Sequence, residues 1–381
     1  MALTSGALLA LVTAIAVGSV VGTVWVWPRL AVRHWAALLG RLGTIVATQA
    51  ATLATLGLLA NNYFSFYGSW DDLLGTGGST PVTVQDHFDA TGAPHRDHRA
   101  PAALEILGRQ PVSGARGGSP ALSGALERVR IPGARSGLVS DGYVYLPPQY
   151  FQSAYARRRL PVAVALTGYP GDARNLVTRL NYPQVELDQL EAGRMRPTVL
   201  VLMRPTVAPP RDTECQDVPH GPQAETYFTH DVPRAIAATY RVAVGPRSWG
   251  IIGDSTGGYC ALKLAMRHPH AYGAAAALSG YYRAAHDPTT GDLFGGSAQL
   301  YRENDLLWRL EHLPPPAVAV LVTTSRVGEA NHRDTQRFIA AARPPLRVSS
   351  ITLPSGGHNF RTWSLELPAA LPWLADHLRQ A

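Results

Sequence analysis

Hydrophobic and polar positions follow three different rhythms along the chain. Residues 2–27 form a run without a single charged side chain, long enough to cross the hydrocarbon core of a bilayer as one helix. Trp25 and Trp27 stand at its end, where interfacial aromatics collect, and Arg29 and Arg33 follow at once. A second apolar run covers residues 35–60 and is interrupted only by Arg41. From 42 to 60 it still approaches bilayer length, and the long Arg41 stem can carry its charge to the interface. The pattern predicts two transmembrane helices within residues 1–62. A cleaved signal peptide and a buried helical hairpin are the competing readings, but a signal peptide places positive charge ahead of its apolar core, and here the first charge comes after it. The arginines lie in the short loop between the two runs. The positive-inside rule then puts that loop in the cytoplasm and both termini outside. The expectation is a multi-pass protein of the cell membrane, with everything after Asn61 extracytoplasmic.

Residues 63–123 show neither periodicity. The stretch 61–70 (NNYFSFYGSW) is rich in aromatics and reads as a juxtamembrane belt, or as a lip guiding substrate from the membrane surface. Residues 75–124 are rich in Gly, Pro, Ser and charge, which predicts a linker. His95, Asp97 and His98 cluster within it. A solvated loop explains them more simply than a metal site does.

From residue 124 to 381 the rhythm is that of strands alternating with helices. Strand patterns occupy residues 126–131, 142–146, 160–166, 197–203, 249–252, 274–279, 317–324 and 347–353. Several, such as LPVAVAL and PTVLVLM, are nearly continuous apolar runs, as expected of strands buried on both faces. Helical patterns cover 184–191, 231–240, 259–267, 305–310, 335–342 and 367–378. This alternation predicts an α/β domain with a mostly parallel sheet covered on both faces.

The strand at 249–252 runs into Gly253-Asp254-Ser255-Thr256-Gly257-Gly258, with a helix beyond. Gly253-x-Ser255-x-Gly257 fits the nucleophile elbow of an α/β-hydrolase, in which a tight strand-to-helix turn lifts the serine hydroxyl clear of the sheet. The alternative is an ordinary Gly-rich turn. A serine needs a base to become a nucleophile, and in this fold the order is serine, acid, histidine. His358 in GGHNF follows the last strand and is the candidate base. Glu329 and Asp334 both follow the strand at 317–324. Glu329, nearer the strand end and just after Gly328, is preferred, while Asp334 reads as a first-turn helix carboxylate. An oxyanion needs two aimed donors: the N–H of Thr256, and the N–H of Tyr169 in the TGYPG loop after the strand at 160–166.

The elbow (WGIIGDSTGGYCALKLAMRHP), the LTGYPG loop and the GGHNF loop together resemble the putative-esterase group of α/β-hydrolases, which includes S-formylglutathione hydrolases and exported mycolyltransferases. The resemblance runs from about residue 124 to the C-terminus. It implies a triad of Ser255, Glu329 and His358 and an oxyanion hole from Tyr169 and Thr256. The chain departs from the group at Thr167, where relatives often carry His or Asp.

Composition adds two constraints. Charged residues are only 16%, and the formal charge of +7 is almost all arginine, Lys263 being the only lysine. Those arginines are scattered, without the basic stripe that nucleic-acid binding needs. The two cysteines, Cys215 and Cys260, have no metal-type spacing. Outside the cytoplasm they are a possible disulfide tying a loop to the elbow helix; inside it they are two unrelated thiols. The combined expectation is a membrane-anchored extracytoplasmic serine esterase acting on small-molecule or lipid esters, with no cofactor, no metal and no nucleic-acid partner. An acyltransferase of the mycolyltransferase type, a non-catalytic binding protein on the same fold and a cytoplasmic thioesterase-like enzyme are the alternatives.

Overall fold

The structure is a computed structural model that describes residues 5–64, 70, 85–86, 104–110, 112 and 119–380. The His95, Asp97 and His98 cluster and nearly all of the aromatic stretch after Asn62 lie outside the described residues. Two units cluster separately. One contains the N-terminal helices with Ser325–Ala330 and Pro354–Thr362; the other contains most of the remainder.

In the first unit, helices Gly6–Val26 and Trp35–Phe64 form a hairpin. Ser5 caps the first of them, and the Thr23 and Thr48 hydroxyls meet at 3.0 Å. Leu11, Ile15, Val20, Val24, Leu38 and Leu53 are all exposed. Gly6–Leu30 and Trp35–Asn62 are candidate membrane spans by length and composition.

The second unit is built on a sheet of ten strands: β1 Gln85–Asp86, β2 Glu105–Gln110, β3 Ala125–Pro132, β4 Val139–Leu146, β5 Val162–Leu166, β6 Val199–Met203, β7 Trp249–Asp254, β8 Ala274–Leu278, β9 Ala319–Val327 and β10 Arg347–Ser355. Their order is β1-β10-β9-β8-β7-β5-β6-β4-β3-β2. From β6 to β9 the pairing is parallel, and β2, β3 and β4 join it antiparallel. This is the mostly parallel sheet of the α/β-hydrolase fold. β5, β6 and β8 are buried at every position, which is why they read as continuous apolar runs rather than alternating ones.

Several elements differ from expectation, β1 at Gln85–Asp86 within the predicted linker among them. β2 lies inside the stretch predicted as linker. It is an exposed edge strand with a register shift at Ile106/Gly108, so it carries no apolar alternation to detect. The side chains of Arg109 and Glu127 tie it to β3 at 2.8 Å. The last helix was expected over 367–378 but runs Phe360–Asp376, with Pro368 and Pro372 inside it. Each proline removes a helical N–H. Tertiary packing holds the helix nonetheless, because Trp363, Leu367, Leu371 and Leu374 are buried along it.

Gly250 in β7 marks where this helix crosses the sheet: a Cβ there would lie 2.9 Å from Leu374. Replacing Leu374, fully buried at this crossing, by alanine should cost about 2–5 kcal/mol. Urea unfolding followed by tryptophan fluorescence measures it, and a loss below about 1 kcal/mol would show that the crossing is loosely packed.

Candidate active site

β7 ends at Asp254 and the elbow helix Thr256–Arg267 begins two residues later. Ser255 makes the whole change of direction, at φ 54° and ψ −119°. A non-glycine residue rarely adopts positive φ, and holding one there costs on the order of 1–3 kcal/mol. The surroundings enforce it. Ser255 N–H donates to the Leu278 carbonyl at 3.0 Å, and its own carbonyl accepts from Tyr259 N–H at 3.0 Å. A Cβ on Gly257 would collide with the Leu166 carbonyl of β5, and one on Gly253 with the backbone of Gly257. The two glycines of the motif are therefore required by close backbone approach, not by flexibility.

Beside the elbow, the loop after β5 is anchored by a residue that motif reading leaves blank. Asp254, the variable position before the serine, is fully buried, and its carboxylate accepts from Gly168 N–H at 2.9 Å. Gly168 also packs so near the turn that a Cβ on it would lie 2.9 Å from Ser255 Cβ. Tyr169 follows directly. Among the described residues, neither Tyr169 N–H nor Thr256 N–H donates to a protein acceptor. A cavity of about 550 Å³ opens against Tyr169, bounded by Pro210, Arg211 and the 288–292 segment. Arg211 is pinned there, donating to the carbonyls of Thr290 at 2.8 Å and Asp292 at 2.6 Å.

Glu329 and His358 are brought together in the first unit: Nδ1 of His358 lies 3.9 Å from the Glu329 carboxylate. Glu329 is 1% exposed at its side chain and His358 25%, so the acid is enclosed and the imidazole is accessible. Gly328, at φ 93°, turns the chain into Glu329. The histidine loop is stitched to its surroundings. Gly356 N–H donates to Val327 O at 3.0 Å, Gly357 N–H to Thr362 Oγ1 at 3.0 Å, and Asn359 Oδ1 accepts from Thr362 N–H at 3.1 Å. Gly356 is obligatory here, since a Cβ would lie 2.5 Å from Ser325 Oγ. Asp334 instead lies in the first turn of helix His332–Ala341, exposed and 3.2 Å from Arg337. Ser255, Glu329 and His358 thus follow the C-terminal ends of β7, β9 and β10, in the order serine, acid, histidine.

Residues 140–374 match the putative esterase family over more than half of the chain. The chain belongs to that family. An uncharacterised protein of Corynebacterium glutamicum is 27% identical over 281 residues, which span 66% of this chain and 62% of that protein. Among solved structures, the S-formylglutathione hydrolase of Agrobacterium tumefaciens superposes with a TM-score of 0.57 at 16% identity, over 72% of this chain and 99% of its own. A ferulic acid esterase gives 0.55 at 18%, over 66% and 98%. Fluorophosphonate-binding serine hydrolase F of Staphylococcus aureus gives 0.51 at 15%, over 66% and 98%. At these identities the structural likeness speaks for the fold, which this esterase-family chain shares.

A buried polar network backs the elbow of this esterase-family chain. Cys215 and Cys260 form a disulfide with a Cα–Cα distance of 5.7 Å, joining the loop before β7 to the elbow helix. Glu214, next to the bridge, is fully buried. Its carboxylate accepts from Tyr281 OH at 2.7 and 2.8 Å and from Ala285 N–H at 3.1 Å, and Tyr281 OH also lies 3.0 Å from Thr256 Oγ1. Burial, reinforced by the charge of Asp212, pushes Glu214 up to about 8, against the pull of these hydrogen bonds. Lys263 donates to Glu214 O and Gln216 Oε1, both at 3.0 Å, and burial lowers it to about 8 despite the attraction of Glu225. Nothing in the motif marks Glu214, Tyr281 or Lys263. Their only sequence signal was a lone lysine in an apolar helix and a glutamate beside a cysteine. Among the described residues, no three His, Cys, Asp or Glu side chains converge in a metal-binding group.

Two measurements test this network. The bridge closes a 45-residue separation, so the Cys215→Ser/Cys260→Ser protein should be less stable by about 2–4 kcal/mol; a double mutant as stable as the parent would show that the loop is held without it. Glu214 binds its proton more tightly folded than unfolded, so its contribution is fully present below its ordinary value near 4.5 and is lost as pH rises through about 8. The gap in melting temperature between Glu214→Gln and the parent should therefore change steadily in favour of the mutant between pH 5 and 8. A gap that is constant across that range contradicts the assignment.

Proposed function

We propose that the chain is a serine esterase anchored in the membrane, with residues 1–62 as the anchor and the sheet-bearing remainder as an extracytoplasmic catalytic domain. The observation that carries this reading is Ser255 itself, a non-glycine residue held at positive φ on a strand-to-helix turn by glycines that have no room for a side chain. Ser255 attacks the carbonyl of a small-molecule or lipid ester. His358 takes the hydroxyl proton and returns it to the leaving alcohol. Glu329 fixes the imidazole and stabilises its charged form. The N–H groups of Thr256 and Tyr169 receive the oxyanion. Water then resolves the acyl-enzyme; no metal or organic cofactor takes part in any of these steps.

Two features support the placement outside the cytoplasm, and a third supports a small-molecule substrate. The two candidate spans are joined by a loop carrying Arg29 and Arg33, with Arg41 just inside the second. The Cys215–Cys260 bridge belongs to an oxidising compartment. The cavity of about 550 Å³ beside Tyr169 has the size of a small-ligand site.

A fluorophosphonate probe should label the parent chain and leave Ser255→Ala unlabelled; labelling that persists in the mutant sinks the proposal. Ester turnover should fall on the order of 10³-fold or more in His358→Ala and about 10²- to 10⁴-fold in Glu329→Gln. Asp334→Asn should retain most of the activity, and a loss there as large as in Glu329→Gln would move the acid to Asp334. Running the assay with added alcohol acceptors distinguishes hydrolysis from acyl transfer.

A further inference from the structure

Apart from the cavity at Tyr169, a second one of about 500 Å³ opens at the same edge of the sheet, and its wall is unusual in charge. Four arginines line it: Arg128 and Arg130 on β3, Arg174 at the start of the helix after β5, and Arg204 directly after β6. Two carboxylates, Asp141 and Asp172, face them. Asp141 is taken up by β3: it receives Arg128 at 3.1 Å and Arg130 at 2.9 Å, and Arg130 has Glu105 as a further partner at 3.7 Å. Asp172 is engaged by backbone, accepting from Arg174 N–H at 2.8 Å as the cap of the helix Ala173–Thr178. That leaves the guanidinium groups of Arg174 and Arg204 without an ion pair among the described residues, both turned to one cavity.

Arg174 and Arg204 come from separate elements and, with Arg128 and Arg130, outnumber the two carboxylates of the lining by four to two. A guanidinium presents paired N–H donors in a planar fork that matches the oxygens of a phosphate. We propose that this cavity binds a phosphate group, with Arg174 and Arg204 as its principal ligands and the Asp141-held pair Arg128 and Arg130 as the positive floor. The volume far exceeds that of a free phosphate, so it has room for an organic phosphate as well as the inorganic ion.

The sheet order gives the location. Ser255 follows β7, and β5, β6 and β4 come next in turn. Three strand spacings of about 4.8 Å put the cavity on the order of 14 Å from the nucleophile along that edge. The site stands on charge and position alone, independently of the esterase reading.

The test is isothermal titration of the full chain in a neutral detergent with inorganic phosphate and with glycerol 3-phosphate, in parallel on the parent and on Arg174→Ser/Arg204→Ser. Among the described residues neither guanidinium holds an ion pair, so an unchanged melting temperature should show that the variant is folded. The expected result is saturable binding by the parent, weakened tenfold or more in the variant. Tighter binding of glycerol 3-phosphate assigns the site to an organic phosphate, and equal binding assigns it to the free ion. Absence of saturable binding of either probe by the parent, or equal binding by parent and variant, overturns the proposal. The two readings fail separately: absence of fluorophosphonate labelling of the parent rejects the esterase and not the phosphate site, and absence of phosphate binding does the reverse.

Discussion

The backbone of the elbow helix passes so near the end of β5 that no side chain fits between Gly257 and the Leu166 carbonyl. Most of what is special about the second unit depends on that contact. Because the helix must start there, the chain has a single residue in which to turn, and Ser255 takes the positive φ. The strain is supported by hydrogen bonds on both sides of the serine, from β8 and from the first turn of the helix. The same contact brings the loop after β5 alongside the elbow, where the buried Asp254 carboxylate secures Gly168 and so sets the position of Tyr169. Ser255 and the N–H groups of Thr256 and Tyr169 are then fixed relative to one another by backbone geometry, which is stiffer than a side-chain arrangement.

Behind this turn the protein buries charge, which is costly unless every group is engaged. Glu214, Lys263, Glu225 and Arg267 all lie within or against the core beside the elbow helix. Burial drives Glu214 up and Lys263 down toward the same value near 8, which disfavours the charged form of each. Glu225 behaves differently. Burial pushes it upward, but Lys263, His268 and Arg267 surround it and hold it well below the usual carboxylate range. The disulfide adds a covalent limit on how far the loop bearing Glu214 can move from the helix bearing Thr256. Polar interactions here act at short range in a low dielectric, where a satisfied network is rigid and a broken one expensive.

How much of this could be read in advance depended on the range of the interaction. Strands buried on both faces announced themselves as apolar runs, and the elbow as a glycine pattern, because both signals are local. β2 was invisible because an exposed edge strand needs no apolar face. Asp254 sat in plain view within the motif, yet its partner is Gly168, eighty-six residues earlier. Glu214 and Tyr281 are likewise joined across sixty-seven residues. Glu329 and Asp334 differ in burial and contact: one side chain is enclosed near His358, the other is exposed beside Arg337.

By itself the sequence determined the class of the sheet, the two apolar helices, the serine turn and the order in which serine, acid and histidine occur. These follow from periodicity, from runs of apolar residues and from glycines whose spacing admits one kind of turn. Only the tertiary structure decided which carboxylate meets His358, that Cys215 and Cys260 are bonded, what Asp254 and Glu214 hold, and that Arg174 and Arg204 turn to one cavity. Each of those depends on residues far apart in the chain meeting across a fold, where the cost of burying a charge or the room for one more carbon is set by neighbours that no local pattern names.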